Sequence, residues 1–468
     1  MRLPLHPELR PLALAVSLAF AATSGRAATI VVTDGGDAGT SSTCTLRQAI
    51  VSANKNAHGD STCISGDNSD TIVFDDSLVN STITLAGTEL AITNPLTILG
   101  SGQTIDADHA SRVMYVGFTT FSASNISLTN GSIPGNSGGA LFLLSSTVSL
   151  DTVVVSNNSA DYAGGIAAFN YTNLTLNNCN VSGNTASRKG GGLEIVNGTD
   201  VQATDSVISG NGASRGGGAF MSYYGKLSLT RSSVSGNSAS GAPPQSGGGI
   251  YGHRCTQLDV VDSTISANAG DNRGGGILAE ACPLMLVNST LTGNSASYGG
   301  AIYANDGAAG IVNSTISGNS AIGAAGILAY LASVTVANSI VSANMAEPGN
   351  EQTADLDQSQ STLTAQYSLL GTALDFIPFS DPGNHNQFTS DPGLGPLQDN
   401  GGPTWTMALL DGSPAIDAGN NALAQWDGNP LSSDQRASGN RIYNGTVDIG
   451  AFESQGDRIF AADFEQLP

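Results

Sequence analysis

The chain repeats a short string that ends in asparagine. VVSNN, NVSGN, VISGN, SVSGN, TISAN, TLTGN, TISGN and IVSAN end at Asn157 or Asn158, then at Asn184, Asn211, Asn237, Asn268, Asn294, Asn319 and Asn344. Taking Asn157 as the first anchor, the intervals are 27, 27, 26, 31, 26, 25 and 25 residues. A unit of that size cannot bury an apolar face alone, so it must stack on its neighbours.

Columns follow by subtraction from the anchors. Val154, Val181, Ile208, Val234, Ile265, Leu291, Ile316 and Val341 stand three before, and Ser149, Leu176, Ala203, Leu229, Val260, Leu286, Ile311 and Val336 eight before. Six before stand Asp151, Asn178, Asp205, Arg231, Asp262, Asn288, Asn313 and Asn338, each followed by a mostly serine position. Leu193 with Ile195 and Ile277 with Ala279 alternate after glycine runs, the period of half-buried strands. The expected fold is all-β: like strands stack in parallel at ~4.8 Å, with aliphatic columns inside and asparagine ladders at the bends. Asparagine suits such a bend because it tolerates left-handed backbone and its amide can bond the next copy.

Composition sets the surroundings. With 59 glycines, 40% hydrophobic residues and 12% charged residues, the chain is too apolar for disorder and too glycine-rich for a helical domain. A formal net charge of −22 and only three lysines (Lys55, Lys189, Lys226) disfavour nucleic acid and anionic lipid. Arg2 and Arg10 precede an apolar run from Pro11 to Ala22, and small residues around Ala27 follow, the layout of a Sec-type signal peptide over 1–27. No later stretch has the apolar length of a transmembrane helix. The expectation is a monomer, secreted or held on the outer cell surface.

Three stretches carry family resemblances. Gly299-Gly300-Ala301-Ile302 resembles the signature of polymorphic outer-membrane-protein repeats, which implies a pectate-lyase-like right-handed parallel β-helix, placed here at 71–369. "CTLRQAIVSANKNA" (44–57) has Leu46, Ala49, Ile50 and Ala53 at helical spacing and Thr45 with Gln48 as a capping box, so a short helix is predicted. Its simplest role is to cover the open end of the first coil, within a cap at 28–70. The stretch resembles the CSLREA motif of exported bacterial β-helix proteins, with Thr45 and Gln48 substituted. "DPGLGPLQDNGGPTWTMALLDGSPAIDAG", Asp434-Gln435-Arg436 and "VDIGAFE" resemble a choice-of-anchor Q domain at 370–453, with Ala437 where that family has glycine. A tail, 454–468, follows.

Candidate chemistry sits where the repeat does not dictate the residue. Lys189, Arg215 and Arg273 stand just before glycine runs, and Glu194, Phe220, Tyr251, His253 and Glu280 point outward on the strands that follow. Tyr223, Tyr224 and Arg254 end the same strands. A lateral face with aromatics, bases and carboxylates is where β-helix lyases and hydrolases hold sugars. The bland alternative is solvated ion pairs, such as Arg273 with Asp271 or Glu280. The preferred reading is a binding face for a polysaccharide or partner cell, adhesive and without catalysis, with Tyr223, Tyr224, Tyr251 and Arg273 contacting ligand. The rival is a lyase acting on a uronate-containing glycan through Lys189, Glu194, Arg215, His253, Arg254 and Glu280. Glu194 and Glu280 lie three coils apart, about 14 Å, too far for a hydrolase pair.

The glycine runs are read as coil corners rather than phosphate loops, since β alternation and not a helix follows each. No cofactor is expected and no metal-ligand spacing occurs; calcium enters only through lyases of this fold. Of five cysteines, Cys44 and Cys63 flank the predicted helix, Cys255 and Cys282 fall on adjacent coils within disulfide reach, and Cys179 lies in the serine column.

Overall fold

A computed structural model describes residues 28–39, 42–55, 63–64, 69–241, 246–347, 355–371 and 381–455. The expected signal peptide and all but two residues of the tail lie outside these.

Each regular coil is four short strands. In one they are Leu193–Val196, Asp200–Thr204, Val207–Ser209 and Gly212–Ala213. Stacking sorts them into three long sheets: eleven-stranded sheet I, from Leu90–Ile92 to Leu356–Ser359; twenty-four-stranded sheet II, which takes two strands per regular coil; and nine-stranded sheet III, from Ser132–Ser137 to Met345–Ala346. Pairing between coils is parallel and in register, as in Leu193↔Ala219↔Ile250↔Ile277↔Ile302↔Ile327. The result is a right-handed parallel β-helix of about eleven turns. One continuous apolar core fills it from Ile30 to Leu370. The first strand, Thr29–Val32, already pairs with Asp70–Phe74, so the stack begins ahead of the cap helix.

The asparagine ladder is real, but its first member is Asn158 rather than Asn157. Val155, not Val154, pairs with Val181, and Asn158 Nδ2 donates to Asn184 Oδ1 at 2.9 Å. Shifting that coil by one residue places Val155 and Leu150 in the two apolar columns where Val154 and Ser149 were expected, both buried. Each ladder asparagine donates its backbone N–H and its Nδ2 to the Oδ1 of the next, and Nδ2 also reaches a carbonyl of the coil before. The run closes on the buried carboxylate of Asp355, which accepts both donors of Asn344. Left-handed backbone falls one residue earlier, on Asn157, Gly183, Gly210, Gly236, Ala267, Gly293, Gly318 and Ala343. The anchors therefore serve as buried hydrogen-bonding groups, not as the turn residues expected of them.

The serine column is a second ladder. Each backbone N–H donates to the hydroxyl of the next coil from Cys179 and Ser206 through Ser232, Ser263, Ser289 and Ser314 to Ser339 and Ser368. Both ladders satisfy polar groups with almost no access to water, the condition under which burying them is tolerated.

A helix, Leu46–Lys55, buries Leu46, Ala49, Ile50 and Ala53 against the first coils. Thr45 N–H donates to Gln48 Oε1 and Gln48 N–H to Thr45 Oγ1, the reciprocal bonds of a capping box. Arg47 ties it to Asp37 through two nitrogens, and Cys44 is bonded to Cys63. At the far end, residues beyond Phe388 leave the stack and fold back along sheet II. There Ile340 and Leu369 of the coils share an apolar cluster with Leu409, Ala415, Ile449 and Phe452. Gln435 bonds Thr264 and Thr290 on two successive coils, and fully buried Arg441 pairs with Glu453.

Candidate functional site

Glycine makes the corner that carries the site. Gly190 has φ 64°, and a Cβ on Gly191 or Gly192 would lie 2.3 and 2.6 Å from the carbonyl oxygens of Gly217 and Gly218. Only backbone fits between coils there. The side chain before each glycine run is therefore pushed to the rim, where Lys189 and Arg215 are stacked neighbours.

Lys189, Arg215 and Arg188 share a cleft of about 230 Å³ with Tyr162, Ser187 and Ser214. Arg188 donates to the Tyr162 hydroxyl at 3.0 Å and lies over its ring. Its nearest carboxylate, on Asp161, is 3.9 Å away. Lys189 Nζ stands 4.7 Å above the ring of Phe220, a cation on an aromatic face. Burial lowers its pKa, joined by the charges of Arg215 and Arg188 and opposed by that of Glu194.

Glu194 is 4% exposed and its Oε2 has no hydrogen-bond partner. Burial raises its pKa to about 7, only partly countered by Lys189. A buried acid of raised pKa stands beside a lysine whose charge burial disfavours, which puts a proton donor and a base in one place.

The second group lies at the opposite ends of the sheet I strands. Glu280 accepts the Tyr251 hydroxyl at 2.5 Å and His253 Nδ1 at 2.9 Å, with Asn305 Nδ2 at 3.4 Å from its other oxygen. Burial opposes its charge, but the bonds from Tyr251 and His253 and the charges of His253 and Arg273 outweigh it and hold its pKa below the ordinary value. Burial and the bond to Glu280 push the Tyr251 phenol well above its usual range.

Two expectations are corrected here. Tyr251 was expected to meet ligand, but it is 1% exposed and clustered with Phe220, Leu278 and Tyr303, so it holds Glu280 instead. Arg273 pairs at contact distance with neither Asp271 nor Glu280; its guanidinium lies 5.0 Å over the Tyr303 ring. Burying an aromatic next to the arginine makes stacking the better way to hold that side chain at the rim. Nor do the candidates form one groove. Lys189, Arg215 and Glu194 sit at the glycine corner, while His253, Glu280 and exposed Arg254 sit where sheet I turns into sheet II. Register also separates the carboxylates: Glu194 shares its column with Phe220, Tyr251 and Leu278, and Glu280 with Ser222 and His253.

Tyr223 and Tyr224 are 52% and 74% exposed at that second corner, both with left-handed backbone. The sequence reading missed Tyr162, Ser187 and Ser214 in the cleft and Asn305 beside Glu280. Tyr162 and Ser214 fall in the columns of Lys189 and Arg188, and Ser187 directly precedes Arg188, so extending the columns toward the glycines would have found them. Cys255 and Cys282 are bonded across adjacent coils, with Cα atoms 4.7 Å apart, and Cys179 is free and buried. Among the described residues, no three His, Cys, Asp or Glu side chains are grouped to hold a metal ion, and no helix is long and apolar enough to cross a membrane.

The family described as "Right handed beta helix region" matches residues 163–315. Among solved structures, the crystal structure of pectate lyase Pel9A is similar, with 12% sequence identity, a TM-score of 0.45, and coverage of 91% of this chain and 96% of that one. No curated protein matches the chain.

Proposed function

We propose that this protein binds an anionic polysaccharide on the lateral face of its β-helix without transforming it, as an exported, surface-associated adhesin. The cleft of Arg188, Lys189 and Arg215 carries the reading. A chain with 38 acidic and 16 basic residues repels polyanions overall, yet three of its bases line one opening on two adjacent coils. Such a local reversal of sign gives an anionic ligand one place to bind on a surface that otherwise repels it. Arginine suits a carboxylate because its planar fork can donate two parallel bonds. Tyr162 adds an aromatic wall whose hydroxyl already aligns Arg188.

The test is a binding titration against polygalacturonate, alginate and a neutral glucan. The reading expects the polyuronates to bind with an affinity that falls as salt rises, and Arg188→Ala with Arg215→Ala to lose about tenfold or more in affinity with an unchanged melting temperature. Equal binding of charged and neutral polymers, or none by the wild type, overturns it.

One observation favours the lyase alternative: the partnerless, buried Glu194 beside Lys189. Ultraviolet-absorbing unsaturated ends released from a polyuronate, and lost in Lys189→Ala, would establish catalysis and remove the adhesin reading.

A further inference from the structure

Three bulky rings stand in places where the fold has no use for them. Phe118, Tyr171 and Tyr224 occupy the turn from sheet I into sheet II, with φ of 58°, 60° and 68° and exposures of 72%, 79% and 74%. Left-handed backbone is strained for an aromatic residue, and rings this exposed recover little by burial. The coils between them make the same turn with Ser145 and with Asn197-Gly198, so the turn itself does not require a ring.

Their spacing is regular. The strands leading into them are Met114–Gly117, Ile166–Phe169 and Ala219–Ser222, with Leu141–Leu144 and Leu193–Val196 between. The rings therefore recur every second coil, about 9.6 Å at the strand-stacking distance, with Tyr171 and Tyr224 at the second residue after their strands and Phe118 at the first. Backbone bonds hold each to the next coil: Phe118 N–H to Leu144, Tyr171 N–H to Asn197 and Tyr224 N–H to Arg254, each 2.9 Å. Tyr171 lies across the intervening glycine, since a Cβ on Gly198 would meet its ring at 2.7 Å. Beyond Tyr224, exposed Arg254 follows in the Tyr223 column, and the Cys255–Cys282 bond braces the next two coils.

We propose that Phe118, Tyr171 and Tyr224 form a stacking ladder that seats an extended polysaccharide parallel to the solenoid axis, one disaccharide for every two coils, with Arg254 receiving a uronate carboxylate at one end. The apolar face of a pyranose stacks on an aromatic ring, and two extended sugar units span roughly the two-coil repeat. A protein partner fits less well: interface cores need contiguous apolar surface, whereas these rings are separated by Ser145 and Gly198. The inference rests on the glycan-binding reading above but uses the opposite ends of the sheet I strands from the cationic cleft.

Calorimetric titration with oligomannuronates and cello-oligosaccharides of increasing length tests it. Affinity is expected to climb until the oligosaccharide spans all three rings and then level off. Tyr171→Ala and Tyr224→Ala should each weaken the longest ligand roughly three- to tenfold, with Tyr171→Phe restoring it and Arg254→Ala affecting only the charged series. Unchanged affinity in both alanine variants, while Arg188→Ala with Arg215→Ala still abolishes uronate binding, overturns the ladder alone. Neutral and charged oligosaccharides bound alike, and lost with the tyrosines, uphold the stacking ladder and overturn both the anionic reading and the role of Arg254. A wild type that binds neither overturns both.

Discussion

The Tyr251 hydroxyl donates to Glu280 at 2.5 Å across two adjacent coils, and the two side chains hold each other in place on the outer side of sheet I. Removing the hydroxyl in Tyr251→Phe takes a charge-assisted bond from a half-buried carboxylate, at a cost of about 2 kcal/mol. Glu280 has a folded pKa below its unfolded value, so its contribution is present above about pH 4.5 and lost as pH falls through the lower, folded value. The difference in melting temperature between wild type and Tyr251→Phe should therefore shrink in acid; a constant difference from neutral pH to strong acid would count against this assignment.

Glu194 gives the opposite sign. Its folded pKa is raised to about 7, so the stability it allows is full below about pH 4.5 and is lost as pH rises through 7. Glu194→Gln should stabilise the protein at pH 8 by on the order of 2–3 kcal/mol and leave it unchanged at pH 4. Thermal melts at the two pH values decide this, and equal effects at both would refute it. Because the neutral acid no longer offsets Lys189, polyuronate binding should also tighten from pH 8 to pH 6 in the wild type more than in Glu194→Gln.

Asn211 sits in the middle of the buried ladder, accepting two donors from Asn184 and donating to Asn237 and Val181. Asn211→Ala strands the backbone N–H of Asn184 away from water and takes one of the two acceptors of its Nδ2. The expected loss is roughly 2–3 kcal/mol, read by denaturant unfolding. Asn157→Ala, on the exposed bend beside the ladder, should lose much less, and equal losses would contradict the one-residue shift of the ladder.

The Cys255–Cys282 bond closes a 27-residue separation between neighbouring coils. Chain-entropy arguments put its contribution at about 3–4 kcal/mol. Replacing both residues with serine should lower the melting temperature and increase proteolysis around residues 250–285 before the rest of the solenoid is cut. Cleavage spread evenly along the chain would show that the bond does not act locally.

Much of this architecture was legible in the sequence because a solenoid repeats its own contacts. Ile208, Val234 and Ile265 are buried one above another since parallel in-register stacking gives the same offset the same surroundings in every coil. The cap helix was legible for a local reason, as Thr45 and Gln48 bond each other three residues apart. The one misplaced anchor arose where VVSNN offers two asparagines and local sequence cannot choose between them. Only pairing of Val155 with Val181 does so.

The candidate site was legible as a roster but not as an arrangement. Lys189 and Arg215 stand before glycines, and the sequence alone marked both. Whether Tyr251 met solvent or Glu280, and whether Arg273 paired with a carboxylate or lay on Tyr303, depended on side chains from neighbouring coils. The periodic spacing of apolar and asparagine positions, with the strand alternation after each glycine run, by itself pointed to a stacked parallel β-solenoid, because so small a unit buries its apolar face only against its neighbours. Only the tertiary structure decided that three cations share one cleft on two coils, that Glu194 is buried with an oxygen lacking a hydrogen-bond partner, and that Phe118, Tyr171 and Tyr224 fall on alternate coils at one edge. Outward side chains are free of the repeat, so their contacts are set by coil-to-coil stacking and by where each turn aims the chain.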